Sequence, residues 1–189
     1  MTKFNILTAD LKYIMNALRP AIGKTYAREA QKYIKFECTD GKTVHTYSSD
    51  GYRLHSISTK VDVEGNKKFS FLIKPFIVPK VESEFIPCEI SEKEITFDFG
   101  NYKITFPLTE SPDNFLDVKE CIPKGNPKLK IGFNPKYLEQ AAKSLKQGET
   151  CDCAIMEIRG PLDPVIIYLS KNKSDFRLVL PVRTKSEEA

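Results

Sequence analysis

Three stretches of this chain share one rhythm: a short apolar strand, a helical segment opening on a polar residue or proline, then two or three strands of alternating residues. Such self-similarity restricts the fold to copies of one supersecondary unit, each needing a neighbour to cover its apolar face. The first copy, about 1–62, opens on Phe4-Asn5-Ile6-Leu7. Thr8 or Asp10 is placed to cap the helix after it, and Leu11, Ile14, Met15 and Leu18 fall on one face of that helix. Ile34, Phe36 and Cys38 then alternate with polar residues, and Asp40-Gly41 turns the chain into strands near 43–47 and 52–59. The second copy, 67–110, starts with Lys68–Ile73. It predicts a helix from Pro75, shortened or kinked by Pro79, and strands at 95–99 and 102–108.

The third copy, 128–183, predicts a strand at 129–133 and a helix with Asn134 as N-cap and Pro135 in its first turn. Tyr137, Leu138, Ala141, Ala142 and Leu145 would form its buried face, Gly148 its end, and strands would come next near 151–158, 165–170 and 176–182. A proline-containing connector, 111–127, precedes it. Residues 1–123 therefore read as a complete two-unit domain, 128–183 as half of one, and 184–189 as a polar tail. Short hairpin connections give an α+β class with mostly antiparallel sheets and helices on one face.

The composition of the 189 residues, 41% hydrophobic and 29% charged, is that of a globular chain. Five cysteines without an apolar leader point to a reducing cytoplasm rather than a disulfide framework. No apolar run approaches the roughly 18 residues that span a bilayer. The sequence carries no P-loop, dinucleotide fingerprint, nucleophile elbow or zincin helix, so no cofactor is expected. His45 and His55 lie in strands and could meet across a sheet, but read as ordinary strand residues. Cys151 and Cys153 share a strand face and lack further metal ligands. Ser170 and Lys173 match Ser-x-x-Lys in a polar turn without the companion motifs of that hydrolase class.

The net charge of +4 leaves the placement of basic residues to decide its meaning. Lys12 lies on the first helix, Lys24 and Arg28 in the loop after it, Lys80 on the second helix, and Lys136, Lys143 and Lys146 on the third. Lys136 and Lys143, nearly two turns apart, share a face. Pointed at one phosphate backbone, these residues would make sequence-independent, salt-sensitive contact. Alternatively they are solvated, with Glu139–Lys143 an ordinary i,i+4 pair.

Ser49-Asp50-Gly51-Tyr52-Arg53-Leu54 and Leu180-Pro181-Val182-Arg183 resemble two motifs of the bacterial DNA sliding clamp, the beta subunit of DNA polymerase III. In that family a Thr-Asp-Gly-His-Arg-Leu segment and a terminal Met-Pro-Met-Arg strand line one peptide-binding pocket. Pro112-Asp113-Asn114-Phe115 with Ile122-Pro123 resembles the end of the clamp's middle domain. Ile131-Gly132-Phe133-Asn134 resembles the helix opening in the second half of its last domain. The resemblance implies a DNA-clamp-like fold and a non-catalytic processivity factor on double-stranded DNA, tethering DNA polymerase and clamp-loader-type proteins through short linear motifs. The pocket wall it implies comprises Ser49, Tyr52, Leu54, Leu178, Leu180, Pro181, Val182 and Arg183. A clamp subunit has six such units and closes a twelve-unit ring as a pair. Three units per chain would need a homo-oligomer, a tetramer by counting, in which two chains join their unpaired third units. The alternative is an adaptor or decoy that binds clamp-binding motifs and forms no ring.

Overall fold

The computed structural model describes residues 1–24, 26–145 and 153–182. Two compact units divide between Cys121 and Ile122. In the first, β1 (Thr2–Leu7) runs into helix α1 (Thr8–Leu18), succeeded by β2 (Ile34–Cys38), β3 (Thr43–Ser49), β4 (Leu54–Lys60) and the short β5 (Asp62–Val63). Then come β6 (Phe69–Ile73), β7 (Phe85–Ile90), β8 (Glu94–Asp98), β9 (Lys103–Pro107) and a single helical turn, α2 (Val118–Cys121). They form two antiparallel sheets of order β4-β3-β2-β6 and β5-β1-β7-β8-β9.

The two sequence repeats exchange their first strands. β1 leaves its own meander to pair with β7, and β6 pairs with β2. Each three-stranded meander thereby gains a fourth strand on an edge that would otherwise present bare N–H and C=O groups. The exchange also merges the two cores. Phe4 and Ile6 of β1, Leu11, Ile14, Met15 and Leu18 of α1, Phe36 of β2, Phe71 of β6, Ile86 of β7 and Phe97 of β8 belong to one buried cluster. At about 1.5–3 kcal/mol for each large side chain taken from water, this cluster dominates the stability of the unit.

Sheet and helix also satisfy each other's polar groups. The terminal carbonyls of α1 at Ala17 and Leu18 accept from His55 Nδ1 at 2.9 Å and from the buried Ser48 hydroxyl at 2.7 Å. These are groups a helix end leaves without partners. A carbonyl can only accept, so the His55 proton sits on Nδ1. His45 instead meets the Ser58 hydroxyl at 2.7 Å, and the β3–β4 register sets His55 opposite Ser48, so the two histidines do not meet.

Three expectations for this unit change. Neither Thr8 nor Asp10 caps α1. The Thr8 hydroxyl donates to the Ser83 carbonyl at 2.6 Å, Asp10 accepts from the Thr59 hydroxyl, and Leu7 stands at the N-cap. The second repeat has no helix: 74–84 runs without regular structure. Pro75 and Pro79 each disfavour the helical conformation at the residue before them, and Pro79 has no N–H to close a turn. The segment fills the helix's place with Phe76, whose ring packs 5.3 Å from Phe97 and 4.9 Å from Phe106. Strand β7 is the third difference, since the sequence reading places no strand at 85–90. Pro87 lies ahead of Cys88, where the pairing with β8 begins, so its missing N–H costs no bond on that side.

After β9, Phe115 and Val118 are buried with Ala30, Tyr33 and Leu72 in a second, smaller cluster. The expected connector is thus packed onto the first unit as far as α2.

The second unit contains α3 (Pro135–Ser144) and a sheet of order β10 (Ala154–Glu157), β11 (Val165–Leu169), β12 (Asn172–Val179). Asn134 caps α3 by accepting from the Lys136 N–H at 3.0 Å, and Pro135 occupies the first position. Ala141 and Leu145 are buried against Val165, Ile167 and Val179, while Tyr137 and Ala142 are exposed. The buried stripe is narrower than the sequence pattern, because α3 packs on a single sheet. The expected opening strand at 129–133 is reduced to one bridge between Gly132 and Val182. The turn before β12 is Ser170-Lys171, so the strand starts at Asn172 rather than Phe176. Arg177 of β12 closes the helix end, donating to the Ser144 carbonyl at 2.8 Å, a favourable place for a cation. Gly148, Cys151 and the tail lie outside the described residues. Among the described residues no helix is long and apolar enough to cross a membrane.

Candidate functional site

The Ser49-Asp50-Gly51 turn joins β3 to β4 and is built to present the two residues after it, Tyr52 and Arg53. Asp50 Oδ1 accepts from the backbone N–H groups of Tyr52 and Arg53, both at 3.1 Å, and Oδ2 accepts from Arg53 Nε at 2.9 Å. The Tyr52 N–H, then the Arg53 guanidinium, hold the Asp50 carboxyl below its ordinary range. Gly51 adopts φ of 90°, a conformation costly for any side chain with a Cβ. Ser49 is buried, and its hydroxyl accepts from the Gly51 N–H at 3.2 Å. The result is a rigid turn from which Tyr52 projects, 98% exposed, while Leu54 is half-buried against the Phe115 cluster.

Tyr52 borders a cleft of about 700 Å³ whose walls include Lys24, Tyr26, Arg28, Gln31 and Arg53. Lys24 and Arg28, read from sequence as DNA-facing, therefore share a cleft with Tyr52, read as a wall of the peptide pocket. Tyr26, Gln31 and Arg53 are additions that sequence reasoning misses. An exposed tyrosine between two cations in a loop is the signal that could have found the first of them. The cleft offers two aromatic faces and three cationic side chains, suited to a ligand with apolar side chains and acceptor groups.

In the second unit, Leu178, Leu180 and Val182 are all exposed. Together with Tyr137, Gln140 and Ala141 they line a separate groove of about 450 Å³. Leu180 and Pro181 lie beyond the end of β12, so only Leu178 is on the strand. Arg183 lies outside the described residues, as does Lys146.

Of the remaining basic residues, Lys12 is half-buried on α1, and Lys136 and Lys143 are exposed on α3. Lys143 makes the i,i+4 pair with Glu139 at 2.7 Å. Lys80 is exposed on the irregular segment 74–84, which corrects its placement on a helix.

Ser170 and Lys173 form no nucleophile–base pair. Lys173 is bound to Glu157 at 2.7 Å, which raises its pKa and keeps it protonated. Glu157 also accepts from Tyr168 at 3.0 Å and from Arg159 at 2.7 Å. Lys173 first, then Tyr168, lowers its pKa to about 2. A carboxyl depressed on folding adds stability that is complete above its unfolded pKa near 4.3 and is lost as pH falls through the folded value. The thermal midpoints of the protein and its Glu157→Gln variant should therefore differ at pH 6 and converge near pH 2. A gap of constant size would refute this role.

A two-sheet body with exchanged first strands, followed by a second unit of one helix and one sheet, is matched as a fold by solved DNA sliding clamps. The resemblance read from the two motifs holds at the level of the fold. The sliding clamp of Bacillus subtilis superposes with a TM-score of 0.67 at 14% identity, over 97% of this chain and 64% of the clamp. The clamp of Pseudomonas aeruginosa bound to griselimycin gives 0.72 at 15% identity, over 96% and 51%. The DNA polymerase III beta chain of Streptococcus pneumoniae gives 0.66 at 17%, over 97% and 65%. The chain thus spans about half to two thirds of these clamps. Its sequence matches no protein-family profile and no curated protein.

Proposed function

We propose that this chain is a non-catalytic, clamp-like processivity factor. It assembles as a homo-oligomer around duplex DNA and tethers a polymerase or another replication or repair protein through a short linear motif. The observation that carries this reading is the clamp fold extending over nearly the whole chain. Two surfaces are the candidates for that motif, one with Tyr52 and Leu54 within the first unit and one with Leu178, Leu180, Pro181, Val182 and Arg183 within the second. Ser49 acts by holding the turn. Griselimycin, the ligand of the Pseudomonas clamp, is a suitable first probe of this binding.

DNA contact in this reading is made by Lys12, Lys24, Arg28, Lys80, Lys136, Lys143 and Lys146, and depends on salt rather than sequence. Each phosphate contact contributes about one unit to the slope of log affinity against log salt. The variant Lys136→Glu/Lys143→Glu should lower that slope by about two while leaving the fold intact. Retention on closed circular DNA, lost when the circle is cut, would establish a ring. An unchanged slope would remove α3 from the DNA-facing surface. Griselimycin binding without any retention on circles would leave the adaptor or decoy in place of the clamp.

A further inference from the structure

The first unit contains its own template for completing the second. In it, β1 has partners on both edges: β5, from the end of its own repeat, and β7, from the other repeat. In the second unit, Gly132 is bridged to Val182, again from the end of its own repeat, with the Val182 N–H donating to the Gly132 carbonyl at 2.9 Å. One edge of 129–133 is thus engaged as β1 is engaged by β5. Among the described residues the partner corresponding to β7 is missing. Conversely β10, the counterpart of β7, pairs among the described residues with β11 alone.

The residues along these two free edges are apolar where a core strand would need them. Leu129, Met156 and Ile158 are 46%, 49% and 47% exposed, whereas Ile86 and Cys88 on β7 are 0% and 2% exposed. The chain's own 129–133 segment is tied to the residues just past β12. β12 is the edge strand opposite β10, so that segment does not supply the missing strand. A second copy brings both missing pieces at once, an open 129–133 edge and an open β10 edge. The exchange is reciprocal, as a two-fold interface requires.

We propose that two copies of this chain pair through their second units by exchanging 129–133 onto each other's β10, rebuilding the two-sheet body that the first unit makes within one chain. The template fixes the register. Ile6 and Phe4 lie one and three residues before the N-cap position of α1 and stand opposite Ile86 and Cys88. Phe133 and Ile131 lie one and three residues before Asn134, the N-cap of α3. Cys88 pairs with Phe97 as Met156 pairs with Ile167, both toward the core. Ile131 of one copy therefore stands opposite Met156 of the other, Phe133 opposite Ala154, and Leu129 opposite Ile158. The pairing rests on the fold alone and requires neither DNA nor a peptide.

The test is light scattering after gel filtration of the 189-residue chain across a concentration series, with cross-linking to read the register. The expected mass at micromolar concentration is two, or an even multiple, of the 21.5 kDa chain. Met156→Lys, a change at an exposed position, should raise the dimer dissociation constant by at least about 100-fold with unchanged circular dichroism. With the native cysteines replaced by serine, Ile131→Cys/Met156→Cys should form intermolecular disulfides, since directly opposed strand residues fall within bridging distance. The slipped pair Ile131→Cys/Ile158→Cys should not. A monomer at every concentration overturns the pairing, as does a dimer indifferent to Met156→Lys that cross-links equally in both registers. A dimer that cross-links as expected but is never retained on DNA refutes the clamp function and leaves the pairing intact.

Discussion

Replacing Phe36 by alanine should cost the first unit about 3–5 kcal/mol, the range for removing a large aromatic from a closed core. Phe36 is fully buried at the centre of β2, with β3 on one side and β6 on the other. Its ring stacks on Phe71 at 4.9 Å with planes 9° apart. Phe71 belongs to β6, the strand that the second repeat lends to the first, so the pair fastens the exchange that unites the two repeats. The neighbours are strand residues fixed by hydrogen bonds on both sides, which leaves little freedom to collapse into the space left behind. Urea unfolding monitored by circular dichroism measures the effect. Phe176→Ala, at a half-exposed position on β12, is the control and should stay within about 0.5 kcal/mol of the parent. A loss below about 1 kcal/mol for Phe36→Ala would show that the two sheets do not share one rigid core.

The parts of this fold legible in the sequence are those written in local periodicity. The alternation of Ile34, Phe36 and Cys38 marks β2, the spacing of Leu11, Ile14, Met15 and Leu18 marks α1, and Asn134-Pro135 marks the start of α3. Strand partnership is not legible. Nothing local in Phe4-Asn5-Ile6-Leu7 says that it pairs with Phe85–Ile90 instead of with its own meander, because backbone pairing carries little side-chain code. The segment after Ile73 differs from expectation for another reason. Repetition suggests a helix where Pro75 and Pro79 oppose one, and local chemistry outweighs the analogy. The expected caps of α1 fail because Thr8 and Asp10 are claimed by Ser83 and Thr59, partners far along the chain. At the site, the Ser-Asp-Gly-Tyr-Arg motif is visible. Its meeting with Lys24, Tyr26 and Arg28 depends on how the loop after α1 folds back, and no spacing in the chain encodes that.

Tyr52→Ala should weaken binding of the proposed ligand about 30-fold without lowering stability, since tyrosines so placed carry about 2 kcal/mol or more of binding energy when covered, and about 1.4 kcal/mol corresponds to tenfold in affinity. The two effects separate because of how the turn is built. Asp50 holds the turn through the backbone N–H groups of residues 52 and 53, which alanine retains, and the Tyr52 ring is 98% exposed, so folding does not depend on it. On the ligand the same ring is a large, stiff surface at the mouth of a cleft with cationic walls. Asp50→Ala provides the contrast: it removes the acceptor of both N–H groups and the Arg53 partner, so it should lower the melting temperature and the affinity together. Titration calorimetry with a thermal melt on each variant distinguishes the outcomes. If Tyr52→Ala keeps its affinity within about twofold while Leu180→Ala loses it, the ligand is held by the second unit and the cleft beside Tyr52 serves something else. If Tyr52→Ala loses stability along with affinity, the turn is not the self-sufficient support that its hydrogen bonds describe.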